Sequence, residues 1–145
     1  MPIENRGIDE ELFEAIIAKT QSGRALEFFG IDLKYLAEGA VVAGMTIKEE
    51  HSNTQGISHG GLAAALVDTV MGLAVFTLNR RVVTLEMNLN YVAPARVGAT
   101  LTAEARVVHR GSNTAVSEAE VHDDRGELVV KSRGTFFIIG HSLVK

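Results

Sequence analysis

The sequence predicts an α+β fold in which a mainly antiparallel sheet of five or six strands wraps on one long apolar helix. Three observations carry this. From Gly60 to Leu78 the only polar side chains are Asp68, Thr69 and Thr77, which marks a buried helix over about 59–78. Beyond that run the apolar residues change from helical spacing to alternation. The alternating segments follow one another with short connections, and short connections join antiparallel neighbours.

Each element has its own local reason. Asp9, Glu10 and Glu11 precede Leu12, Phe13, Ile16 and Ile17, a cap and acidic first turn followed by apolar residues at helical spacing. Ser22-Gly23 interrupts this helix, and Leu26, Phe28 and Phe29 form a short helical or turn segment, so residues 1–29 read as an N-terminal helical segment. Residues 31–37 and 41–48 read as strands around the turn Glu38-Gly39. Val83, Leu85, Met87, Leu89 and Tyr91 alternate with Thr84, Glu86, Asn88 and Asn90, the pattern of a half-buried strand. Leu101, Ala103, Ala105 and Val107 alternate similarly, and residues 115–122 and 127–139 flank the turn from Asp123 to Gly126.

Composition narrows the class. A chain of 145 residues suits one domain with a substantial core, and 46% hydrophobic residues with two prolines argue against disorder. The net charge of −4 gives no reason to expect nucleic acid or an anionic membrane, although Arg80-Arg81 could meet a phosphorylated ligand. The absence of cysteine excludes disulfides, thiol catalysis and thiolate metal sites. The first residues carry no positively charged leader before an apolar core, so a cytoplasmic protein is expected. Asp68 near the middle of an Ala- and Gly-rich run argues for a buried soluble helix rather than a membrane span.

The chemistry concentrates where a polar loop enters that helix. His59-Gly60-Gly61 opens it, and the first N–H groups of a helix lack partners and sit at the positive end of its dipole. Asp68 shares its face with Gly61, Ala64, Ala65, Met71, Gly72 and Val75, none of which can neutralise a charge. Its carboxylate therefore either bonds to another segment or is kept for function. Gly60 and Asp68 lie roughly 12 Å apart along the axis, whereas a reacting carbonyl needs its oxyanion donor and its base or nucleophile each at roughly 3 Å. One helix can hardly supply both, but two antiparallel copies can, so the sites are expected to be composite across a homodimer. His59 could brace the loop or act on a ligand. His51 and His59 lack helical i,i+4 alignment and a nearby second carboxylate, so no metal site is expected.

Asn53, Gly56, His59-Gly60-Gly61 and Asp68, nine residues past the His, together with 86–98 and the final hairpin through Phe136, form one combined pattern. It resembles the hotdog-fold acyl-CoA thioesterases, in the branch of the phenylacetate-pathway and acyl-CoA thioesterase 13-like enzymes. The resemblance implies that the Gly60 N–H polarises a thioester carbonyl, that Asn53 orients the carbonyl or a water, and that Asp68 of the neighbouring subunit is general base or nucleophile. His59 would brace the loop or carbonyl, and Thr84 stands where relatives carry a water-positioning hydroxyl. Gly56 and Gly61 would face the substrate, and Met71 with Val75, Phe76 and Met87 would wall an apolar acyl or aryl group. Arg110, Gly111 and Ser112 lie at a strand end where relatives meet coenzyme A, though the same residues suit an ordinary solvated turn. No cofactor is implied. The expected assembly is a homotetramer built as a dimer of dimers. Two other functions fit the fold: a non-catalytic acyl-CoA-binding module, against which Asp68 argues, and hydration of an acyl thioester.

Overall fold

Alternation along the chain becomes a single curved sheet. The computed structural model describes residues 1–140 and 142–145. Its elements are β1 (Glu4–Arg6), α1 (Glu10–Ser22), α2 (Ala25–Phe29), β2 (Ile31–Ala37), β3 (Ala40–Thr46), a 3₁₀ turn (Glu49–His51), α3 (Gly60–Phe76), β4 (Arg81–Tyr91), β5 (Thr100–Arg110), β6 (Thr114–His122) and β7 (Leu128–Gly140). The seven strands lie in the order β1-β2-β3-β5-β6-β7-β4, antiparallel except for β1 beside β2.

The sheet packs on α3, whose Leu66, Val67, Val70, Met71, Ala74 and Val75 are wholly buried. Such a helix is apolar nearly all round because six strands pack against it, and α1 adds Leu12, Phe13 and Ile16 to the same core. The Asp9 carboxylate caps α1 by accepting from Leu12 N–H at 3.1 Å. Thr77 ends α3, and its hydroxyl accepts the Gly39 N–H at 2.7 Å, which ties the helix C-terminus to the β2–β3 turn.

Two expectations need correction. The sheet has seven strands rather than five or six, because Glu4-Asn5-Arg6 pairs with the edge of β2 inside the segment read as helical. Three polar residues carry no readable alternation; their strand is held by pairing and by Arg6 lying 3.6 Å over the Tyr35 ring. The second concerns β4. Its register against β7 shifts between Thr84 and Glu86, so Leu85 is an extra residue in a β-bulge that reverses the phase of alternation. Val82 and Thr84 face α3 before the bulge, Met87 and Leu89 after it. Val83 and Leu85, expected on the buried face, are 47% and 58% exposed.

Candidate active site

The loop before α3 is fixed by its own polar groups. Asn53 Oδ1 accepts from Gln55 N–H at 2.8 Å and Ile57 N–H at 3.3 Å, closing a turn in which Gly56 adopts φ +77°, a conformation costly for residues with a Cβ. The remaining polar group of that side chain is its NH₂. His51 Nδ1 accepts from Lys48 N–H at 3.0 Å, and the His51 carbonyl accepts from His59 N–H at 2.8 Å. Ser58 N–H donates to the Ala95 carbonyl at 2.9 Å, so the loop after β4 braces the loop before α3.

His59 is the N-cap. Its Nδ1 accepts from Gly61 N–H at 2.9 Å, which places the ring proton of the neutral form on the exposed Nε2. Among the described residues no acceptor occupies the Gly60 N–H. Tyr91 from the end of β4 donates its hydroxyl to the Gly60 carbonyl at 2.9 Å, and a Cβ on Gly60 would come within 3.1 Å of that ring. A side chain at this helix start would therefore have to push the Tyr91 ring aside by a few tenths of an ångström. Asn53, His59, Gly60, Gly61 and Tyr91 border a hollow of about 480 Å³.

Asp68 borders a different hollow, of about 210 Å³, together with Gly72, Thr84 and Phe136. The half-buried carboxylate accepts from Thr84 Oγ1 at 2.7 Å, leaving Oδ2 outside that bond. The bulge in β4 is what turns Thr84 toward it. One chain thus presents an open helix N-terminus in one hollow and an oriented carboxylate in another.

Residues 55–130 match the thioesterase superfamily, more than half of the chain. The chain belongs to the thioesterase superfamily. Among its relatives, human acyl-coenzyme A thioesterase 13 is 32% identical over 130 residues, spanning 87% of this chain and 93% of that protein. The Escherichia coli PaaI structure, from the phenylacetic acid degradation operon, superposes with a TM-score of 0.89 at 26% identity, covering 94% of this chain and 99% of that one. The hotdog fold is thereby established. A hypothetical thioesterase of Streptococcus pneumoniae, solved with coenzyme A, has a TM-score of 0.75 at 26% identity over 81% of this chain and 98% of that one. That protein was also solved as an Asp→Ala and as a Thr→Ala variant, at positions 16 apart, the separation of Asp68 and Thr84.

Within this thioesterase-family fold the remaining candidates separate by location. Gly61 borders the Gly60 hollow, and Gly56 sits on an exposed turn. Met71 borders neither hollow; it is wholly buried, and its carbonyl accepts from Ser117 Oγ at 3.2 Å. Arg110 ends β5 and Gly111 and Ser112 follow it, at the opposite end of α3, whose 17 residues span about 25 Å. There Arg110 pairs with Glu38 at 3.2 Å, and Gly111 N–H closes the hairpin on the Thr114 carbonyl at 2.8 Å. Among the described residues no three His, Asp or Glu side chains converge on a possible metal position, and no helix is long and apolar enough to cross a membrane.

Three residues gain importance from the structure. Tyr91 was visible only as the last apolar step of a strand, and Phe136 only as part of a hairpin. Asp123 is third; it accepts from Glu127 and Arg125 N–H, both at 2.9 Å, and lies 3.7 Å from Arg96, which also holds Asp124 at 2.9 Å. The backbone bond from Glu127, then that from Arg125 and the Arg96 charge, hold its carboxyl below the usual value against the opposing effect of burial. Arg96 lies beside Ala95, the acceptor of the Ser58 bond, so this turn supports the loop that carries Gly60.

Proposed function

We propose that this chain hydrolyses acyl-CoA thioesters to free acid and coenzyme A in sites shared by two copies. The observation that carries the reading is the pair of separated half-sites: a Gly60 N–H without an acceptor in one hollow and the Asp68 carboxylate, oriented by Thr84, in the other. The thioester carbonyl oxygen accepts from Gly60 N–H, where the helix dipole stabilises the charge that develops on attack. Asp68 of the partner subunit then assists water, either by taking its proton or through a transient anhydride that water opens. Both routes add one water across the C–S bond, and the sulfur leaves as the coenzyme A thiol. His59 holds the loop through Gly61, and the Asn53 NH₂ faces the carbonyl or the water.

The edge of the sheet supports the shared site. Among the described residues β4 pairs only with β7, so its other edge is free, and Val83 and Leu85 of this edge strand are exposed. An exposed apolar edge strand is a template for pairing. Two β4 strands meeting antiparallel about a two-fold axis carry the Gly60 end of one α3 toward Asp68 of the other. The same operation brings the Arg110–Ser112 end of one copy to the Gly60 side of its partner, where a coenzyme A phosphate would meet Arg110, in exchange for or beside its Glu38 pairing.

Thiol release from a panel of acyl-CoAs by wild type and Asp68→Asn tests this. The substitution removes the charge but keeps the shape, and the expected loss of kcat is on the order of a thousandfold. Turnover unchanged in Asp68→Asn removes this residue from the chemistry. Saturable acyl-CoA binding without turnover by either protein would favour a binding module instead.

A further inference from the structure

The hollow beside Asp68 has a built floor. Phe136 stands opposite Thr84 in the β7–β4 register, so both side chains leave the sheet on the face covered by α3. The Phe136 ring is only 1% exposed and occupies space left by two missing side chains. A Cβ on Gly72 would lie 3.5 Å from its Cε1, and one on Gly134 only 2.9 Å from its Cε2. Gly72 follows Asp68 by one helical turn on the same face. The hollow therefore runs from the carboxylate along the bare Gly72 backbone and ends on an aromatic ring.

Its walls below Asp68 are apolar. Leu26 of α2 and Phe76 of α3 border it, and the Thr69 hydroxyl is turned back onto the Ala65 carbonyl at 2.8 Å. Among the described residues that lower part offers no charged group and no free donor to a tail. A group attached to the carbonyl that Asp68 addresses has this space to fill, while the coenzyme lies on the open side.

We infer that Phe136, seated between Gly72 and Gly134, is the floor of the acyl pocket and limits substrates to apolar acyl groups of small size. This rests on the thioesterase reading above. The hollow is about 210 Å³ in one copy and opens to the surface, so its depth is set by the ring at its end and not by its total volume. A short unbranched chain and a single ring on a short stem share that chemistry; a long fatty chain would have to displace the buried ring.

Two substitutions move the floor in opposite directions. Gly72→Ala adds a methyl at ordinary contact distance from the ring and narrows the passage without forcing a neighbour to shift. Phe136→Leu shortens the floor and lengthens the space. Thiol release is measured as kcat/KM over straight-chain acyl-CoAs from acetyl to palmitoyl and over a phenyl-bearing acyl-CoA, with thermal melts to confirm folding. Wild type is expected to prefer chains near hexanoyl and the phenyl-bearing group, with palmitoyl poor. Gly72→Ala should lower the octanoyl-to-butyryl ratio about tenfold, and Phe136→Leu should raise the lauroyl-to-hexanoyl ratio by a similar factor. Should Phe136→Leu fail to fold, Gly72→Ala decides alone. Unchanged ratios in folded protein, or a wild type that prefers palmitoyl, overturn the floor. Absence of any Asp68-dependent turnover overturns the thioesterase reading itself, so the two failures are distinguishable.

Discussion

Thr84 and Asp68 come from different elements, and their bond decides how the acid can work. The hydroxyl holds Oδ1 at 2.7 Å, so one carboxylate oxygen is fixed, and in the proposed reaction the other is the one that meets water or the carbonyl carbon. A hydrogen bond to a charged acceptor is stronger than a neutral one, and its loss here frees the carboxylate to rotate. Thr84→Ala should therefore lower kcat about tenfold while KM changes little, and Thr84→Ser, which keeps the hydroxyl, should recover most of the loss. Equal kcat in Thr84→Ala and wild type would show that Asp68 needs no such hold. Asp68 was legible in the sequence because nothing around it on the helix could answer its charge. Its partner was legible only through resemblance, since no local spacing links positions on a helix and on a later strand.

The sequence alternation along 83–91 was read correctly as a strand and incorrectly as one continuous face, and the bulge at Leu85 explains both. Hydrophobic period identifies the extended chain, but a single extra residue exchanges the two faces without leaving a compositional mark. β1 was invisible for a related reason, being three polar residues held by partners far along the chain. The turn from Asp123 to Gly126 was legible as a turn, whereas its contact with Arg96 depends on how two distant loops meet. That contact makes a prediction at the same scale. Folding lowers the Asp123 pKa, so its ionised form contributes stability above its unfolded value, near 3.9, and the contribution is lost as pH falls through the folded value. Asp123→Asn keeps an acceptor for Arg125 and Glu127 but removes the charge. Its melting temperature should fall below that of wild type at pH 7, and the two should converge as the pH drops below about 4. A difference between them that is constant across that range would rule out the ion pair as its source. The same variant should weaken the hold of Ala95 on Ser58 and raise KM more than it lowers kcat.

At the scale of the whole molecule, the proposed reaction depends on whether one chain can bring the Gly60 N–H and the Asp68 carboxylate together. Asp68 and Gly60 are fixed to the same rigid helix, so no side-chain motion closes the roughly 12 Å between them. Mixing two defective proteins separates the possibilities. Asp68→Asn retains the Gly60 half-site, and Asn53→Ala, which unties Gln55 and Ile57 and loosens the loop into Gly60, retains the Asp68 half-site. With shared sites, every mixed dimer holds one intact site and one doubly defective site. Random exchange of subunits at equal concentration then restores about a quarter of wild-type activity, because half of the dimers are mixed and each has one working site of two. Sites confined within single chains would give only the average of the two parents. The exchange must be verified by a mass-tagged subunit, and the interface can be tested independently through Leu85, an exposed residue of the edge strand β4. Leu85→Lys places a charge where two apolar edges would meet, a device that keeps edge strands apart. The expected result is a folded monomer by sedimentation with little turnover. A monomeric Leu85→Lys protein with full activity would place the whole reaction within one chain, and Asp68 and the Gly60 N–H would then have to act on different parts of the substrate.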